Sequence, residues 1–251
     1  MRLSTARRMI SDYMWAANGI ARVDVTRPVA LGAVMAARRA MRAAPSVTTI
    51  FVKAFAIVAA DMPELRRAYL SWPWPHFYEY TESTAVVAQE REIDGDLGLL
   101  PLRFSRPDAV PLGELDRMIR NAIEMPIEQS KLFRRVVALG CLPLLLRRLI
   151  WIAILNIPRL RRYVLGTYGV SALGKSQAEL GTTRTPVPCL LSYGIMDEHG
   201  NVRARLNFDH RTFDGAFAGC VLARLEDVVN GAVLEELRAL AEAEKSVAEA
   251  G

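Results

Sequence analysis

The order of hydrophobic patterns along these 251 residues predicts an α+β fold, a mixed β-sheet with helices packed on it. Three observations carry the prediction. Val202, Ala204, Leu206 and Phe208 alternate with Arg203, Arg205 and Asn207, which is the period of a half-buried strand. Ala216, Phe217, Cys220, Val221, Leu222, Leu225, Val228 and Val229 follow at helical spacing. Upstream, helical stripes and short strand-like runs are interleaved. With 51% hydrophobic residues, the chain is able to bury a full core.

In order, residues 5–18 read as a basic amphipathic helix with Met9, Ile10, Tyr13, Met14 and Ala17 on one face. Arg22 to Thr26 is a short strand, and Arg27-Pro28 opens a helix to about Arg42, since proline suits a first helical turn. Ala44-Pro45-Ser46 is a turn ending in an N-cap. Val47, Ile50, Phe51, Ala54, Phe55 and Val58 then mark a buried helix that stops at Asp61–Leu65. Trp72 to His76 is irregular and aromatic, and Phe77–Tyr80 and Ala85–Gln89 are strands. Asp94-Gly95 is a hairpin turn, not a calcium loop, and leads into a strand over Leu97–Phe104. Leu112, Leu115, Met118, Ile119 and Ala122 stripe the next helix. Residues 1–232 make one domain and 233–251 an Ala/Glu-rich helical tail.

Chemistry concentrates in Asn207-Phe208-Asp209-His210-Arg211-Thr212-Phe213-Asp214-Gly215, the strand-to-helix connection near the C-terminal end. A tight connection of this kind holds a ring in place and leaves it approachable, as a general base requires. His210 is the one histidine in such a setting; the alternative role is structural. His76 lies among aromatic residues and His199 in a turn. Asp214 opens the following helix, where a carboxylate is favoured as an N-cap in any case. Cys141, Cys189 and Cys220 are too widely spaced for evident pairing and read as reduced thiols of a cytoplasmic protein. No Cys/His group has metal-ligand spacing, and no apolar leader follows Met1. The arginine clusters alternate with apolar runs instead of forming a solvated basic face, which argues against nucleic acid.

His210-Arg211-Thr212-Phe213-Asp214-Gly215 resembles the His-x-x-x-Asp-Gly signature of the coenzyme A-dependent acyltransferases, the superfamily of chloramphenicol acetyltransferase and the 2-oxoacid dehydrogenase transacylases. Asp209 before the histidine and Arg211 after it point to the transacylase side. Further stretches resemble the same family: Ala6–Ser11 its opening helix, Ser46–Tyr69 its "Ser-Val-Thr" helix and "Pro-Glu-Leu" turn, and Leu97–Phe104 a strand. Gly166–Gly174 resembles its "Gly-Thr-Phe-Thr-Ile-Ser-Asn-Leu-Gly" strand, with Gly169 and Ala172 departing from it, and Pro186–Gly194 resembles the strand after that. The resemblance covers residues 5–130 and 165–232. It implies a chloramphenicol acetyltransferase-like two-layer sandwich, a catalytic His210, and Asp214 paired with an arginine of the first helix, Arg7 or Arg8. It implies Ser171 as oxyanion donor, with Thr167, Gly174 and Gly215 near substrate. It also implies acyl-coenzyme A as cosubstrate, no metal, and a homotrimer or multiple of three with His210 facing Ser171 of a neighbour.

Residues 131–164 depart from the family. Two apolar runs are flanked by Arg134, Arg135, Arg147, Arg148, Arg159, Arg161 and Arg162, and neither reaches the ~18 residues of a membrane span. Such a segment suits helices lying on the inner face of a membrane as a peripheral attachment. The alternatives are a buried subunit contact or a hydrophobic substrate tunnel. The preferred expectation is a freestanding acyltransferase acting on an acceptor thiol, hydroxyl or amine, because the residues before the first strand leave no room for a lipoyl domain. The second is a dihydrolipoyl transacylase core served by lipoyl domains in trans, and the third a non-catalytic membrane-associated scaffold.

Overall fold

The computed structural model describes residues 3–93, 95–126, 129–172 and 181–249. In chain order these form α1 (Thr5–Ala17), β1 (Arg22–Ala30), α2 (Gly32–Arg39), α3 (Val47–Asp61), β2 (Arg67–Leu70), β3 (His76–Glu79), β4 (Thr84–Ile93) and β5 (Asp96–Ser105). There follow α4 (Leu112–Glu124), α5 (Lys131–Gly140), α6 (Leu144–Asn156), α7 (Pro158–Leu165), β6 (Tyr168–Ala172), β7 (Cys189–Tyr193), β8 (Asn201–Asp209), α8 (Gly215–Val228) and α9 (Leu234–Glu249).

Six strands make one mixed sheet in the order β1-β8-β7-β6-β4-β5, and β2 and β3 form a separate hairpin. β6 runs parallel to both β4 and β7; the other pairs are antiparallel. The alternation of β8 works as expected: Val202, Ala204, Leu206 and Phe208 are buried in the main core with α3 and α8. α3 is capped as its sequence predicts, Ser46 Oγ accepting from the Thr49 N–H at 3.0 Å. The buried Asp116 carboxylate fastens that cap from α4, accepting from the Ser46 N–H at 2.8 Å and the Thr49 hydroxyl at 2.6 Å.

The structure corrects one expectation, adds a strand and relocates the start of the tail. Pro28 does not open a helix; β1 continues through it to Ala30, and α2 starts at Gly32. β1 is an edge strand, and an edge is where a sheet tolerates proline. Arg67–Leu70 forms a strand that the sequence pattern did not reveal, pairing with His76–Glu79 around the aromatic turn. The tail is no appendage at its start: Val233, Leu234 and Leu237 are buried in the main core, and Leu240 packs against it.

The segment from Lys131 to Leu165 folds as α5, α6 and α7. Trp151 and Ile154 of α6 pack with Leu165, Val187 and Ala16 in a second, smaller core under α1. Burying side chains of this size stabilises by roughly 1.5–3 kcal/mol each. Arg147 and Arg148 point at the buried Asp12 carboxylate of α1, at 3.3 and 3.2 Å. Trp151, expected in a lipid interface, is therefore only 6% exposed, and these two arginines are taken up by Asp12.

The parallel junction of β4 and β6 depends on one glycine. Gly166 has φ +67°, and a Cβ there would lie 2.7 Å from both the Thr84 carbonyl oxygen and Val86 Cγ2. Gly166→Ala is expected to cost ~1–3 kcal/mol from the backbone conformation alone, and more from the clash; thermal unfolding of the purified variant measures it. A second prediction concerns the thiols. Burial pushes the Cys189 thiol up to about 12, whereas Cys141 and Cys220 are exposed. Iodoacetamide at neutral pH should label Cys141 and Cys220 in the native protein and reach Cys189 only after unfolding, as read by peptide mass spectrometry.

Candidate active site

The His210 turn is clamped from both neighbouring strands. The Asp209 N–H donates to the Pro188 carbonyl at 3.1 Å, and the His210 N–H donates to the Ala21 carbonyl at 2.8 Å. The turn closes on itself through Thr212, whose N–H and hydroxyl both donate to the Asp209 carbonyl, at 2.8 and 2.6 Å. The imidazole is exposed but held: Nδ1 lies 3.1 Å from the Phe213 carbonyl oxygen, and the ring meets Phe208 edge-on. A carbonyl only accepts, so this contact assigns a hydrogen to Nδ1; in the neutral ring the lone pair is then on Nε2.

Beside it lies a charge cluster that the sequence pattern revealed only in part. The Asp209 carboxylate is 1% exposed and accepts two parallel bonds from Arg211, at 2.8 and 2.6 Å. This pairing raises the Arg211 pKa, and the same guanidinium stacks 4.2 Å over the Tyr69 ring of β2. Arg22 reaches the carbonyls of Thr185, Val187 and Pro188, and Arg161 those of Tyr69, Leu155 and Pro186. Burial pushes Arg22 down to about 10, and burial lowers Arg161 as well. Arg161, expected among lipid headgroups, is thus an internal clamp on the segment entering β7. Only Asp209 and Arg211 carried a signal, as neighbours of the histidine; a guanidinium holding distant carbonyls leaves no local pattern.

The expected pairing of Asp214 with Arg7 or Arg8 does not form. Arg7 pairs with Asp96 at 3.1 Å, and Arg8 donates to the Gly140 carbonyl at 3.2 Å. Asp214 instead caps α8, its carboxylate accepting from the Phe217 N–H at 3.0 Å. A Cβ at Gly215 would meet only Val25 Cγ2 at 3.8 Å, an ordinary contact. The Thr167 hydroxyl is buried and spent on the sheet, accepting from the Thr84 N–H at 2.9 Å and donating to its carbonyl at 3.2 Å. Gly174 lies outside the described residues. His76 Nδ1 meets the Trp74 carbonyl oxygen at 2.7 Å, and His199 stays in its turn over Asp197. Among the described residues no group of three or more His, Cys, Asp or Glu could hold a metal ion.

Ser171 is half-buried on the sheet face turned away from the main core, level with Ser192 and Arg205. The register separates it from the histidine. Asp209 is level with Thr167 across β7, so Ser171 lies four residues farther along β6 and two strands over. That is about 13 Å along the strand and about 10 Å across. Within one chain the two residues do not meet.

No protein-family model matches the chain. No curated protein matches its sequence. Solved structures do match. A truncated catalytic core of the 2-oxoacid dehydrogenase multienzyme complex from Thermoplasma acidophilum superposes with TM-score 0.67 at 17% identity, over 92% of this chain and 97% of that one. This chain has an acyltransferase fold. A probable dihydrolipoamide acetyltransferase from Listeria monocytogenes gives TM-score 0.62 at 17% identity, over 92% and 93% of the two chains. A chloramphenicol acetyltransferase gives 0.52 at 15%, over 91% and 96%. The mixed six-stranded sheet with flanking helices is thus the chloramphenicol acetyltransferase-like fold.

Asp214 offers a direct test of its role on this acyltransferase fold. Asp214→Ala should lower stability by about 1 kcal/mol, whereas Asn, an equally good cap, should hold it near wild type. Chemical denaturation of the two variants checks this.

Proposed function

We propose that the chain transfers an acyl group between coenzyme A and an acceptor thiol, hydroxyl or amine, with His210 as general base. The observation that carries this is the held imidazole, with Nδ1 on the Phe213 carbonyl and Nε2 free on an exposed turn. Nε2 takes the acceptor's proton as the acceptor attacks the thioester carbonyl. The tetrahedral intermediate collapses by breaking the C–S bond, and the proton passes from His210 to the departing thiolate of coenzyme A. The developing oxyanion needs a donor, and the Ser171 hydroxyl is the candidate.

Because Ser171 and His210 stand far apart in one chain, the reading places Ser171 of one copy against His210 of the next, in a homotrimer or multiple of three. The half-buried Ser171 supports it, lying on the face of β6 opposite Tyr168 and Val170 of the main core. A dihydrolipoyl transacylase core served by lipoyl domains in trans is the second reading, favoured by the higher TM-scores to such cores than to chloramphenicol acetyltransferase. Dihydrolipoamide against apolar alcohols and amines as acceptors separates the two.

His210→Ala should abolish coenzyme A release from acyl-coenzyme A, and Ser171→Ala should slow it by ~10²–10³. Co-expressing the two variants should restore about a quarter of wild-type activity, since a quarter of the contacts in a random cyclic assembly then carry both residues. Restoration tests the shared site; an unaffected His210→Ala removes the catalytic reading. Absence of turnover by the wild type with any acyl-coenzyme A and acceptor would leave a non-catalytic scaffold.

A further inference from the structure

The inserted helices expose a surface that acyl transfer does not require. α6 is two-sided. Arg147, Trp151 and Ile154 turn inward, whereas Leu145 at 78% and Leu149 at 61% exposure lie on the other side with Ile152 at helical spacing. At the end of α6, the Asn156 side-chain oxygen accepts from the Ser71 hydroxyl at 3.0 Å and the Trp72 N–H at 3.1 Å. That clip fastens the tip of the β2–β3 hairpin to the helix. The tip carries Trp72 and Trp74, exposed by 70% and 68%.

The charge of the segment is one-sided. Residues 131–165 contain eight Lys and Arg and no Asp or Glu, although the whole chain has a net charge of only +5. Asp12 takes up Arg147 and Arg148, and backbone carbonyls take up Arg161. Arg134, Arg135 and Arg159 remain exposed.

We propose that this surface docks on an anionic lipid bilayer, with α6 lying along the headgroups and Trp72 and Trp74 inserted beside it. Among the described residues no helix is long and apolar enough to cross a membrane. An apolar helix face with cationic flanks favours the interface plane instead. Indole rings suit that depth, and each arginine near anionic headgroups adds to the attraction. Charge selects the bilayer over a second copy of the chain. A two-fold contact sets this patch against its own copy, so a cationic patch would face a cationic patch with no carboxylate in the segment to offset it. The inference stands on the insertion and the hairpin tip alone and holds whether or not His210 is catalytic.

Flotation of the full chain tests it. Vesicles of equal parts phosphatidylcholine and phosphatidylglycerol should carry the protein upward at low salt, pure phosphatidylcholine less, and added salt should release it. The double variant Leu145→Glu/Leu149→Glu changes two exposed positions and should lower the bound fraction at least about tenfold. Trp72→Ala/Trp74→Ala should also weaken binding. Brominated acyl chains should quench wild-type tryptophan fluorescence and quench this second variant less. Ala239→Glu, on the exposed side of α9, should bind as wild type. Wild-type protein left in the soluble fraction with the anionic vesicles overturns the proposal. So does flotation of both double variants at the wild-type level. A fall in molecular mass by light scattering in Leu145→Glu/Leu149→Glu, without wild-type flotation, overturns it in favour of a subunit contact.

Discussion

The structure depends on buried guanidinium groups holding backbone carbonyls where the chain enters β7. The carbonyls of Thr185 through Pro188 receive Arg22 from β1 and Arg161 from α7. A buried cation is costly unless its donors find acceptors, and a buried carbonyl is costly unless a donor reaches it. Each group here removes the other's penalty. Burial still lowers Arg22 to about 10. The Pro188 carbonyl is shared between Arg22 and the Asp209 N–H, so the same atoms that anchor the entry to β7 also anchor the His210 turn.

Around that anchor sits one buried carboxylate, Asp209, with Arg211 bonded to it and Arg22 and Arg161 acting on it through space. The balance is cationic, and Arg211 lies over Tyr69 at the edge of the hairpin. The hairpin is tied to α6 through Asn156 and to α7 through the Tyr80 hydroxyl, which donates to the Pro158 carbonyl at 3.1 Å. α6 and α7, which lie in the crossover between β5 and β6, are therefore continuous with the supports of the histidine.

The fold was legible wherever burial imposes a period. The alternation of β8 and the stripes of α3, α4 and α8 are direct images of the main core. Pro28 misled because its local preference for a helix start was outweighed by pairing with β8, an interaction invisible from nearby residues. α6 misled because it has two apolar sides, and composition does not reveal which one the protein itself covers. Trp151 and Leu149 look alike in sequence; Tyr13 and Ala16 on a distant helix, with Leu165 and Val187, cover Trp151 and not Leu149. In the candidate site the motif located the histidine and the helix cap. It did not locate the carbonyl clamps, since their partners are 163 or more residues from Arg22.

The pairing of β1 with β8 also has a kinetic consequence. Arg22 and Asn207, hydrogen-bonded at 3.3 Å, are 185 residues apart in the chain. Closing so distant a contact is entropically expensive before any reward arrives, which makes folding of such sheets slow. On the ribosome, β1 must wait for β8, which is made 185 residues later. Until then β1 lacks its pairing strand, and the apolar side of α3 lacks the part of the core that β8 supplies. The histidine turn is thus among the last parts to be secured, and in that interval the nascent chain is open to aggregation or to rescue by chaperones.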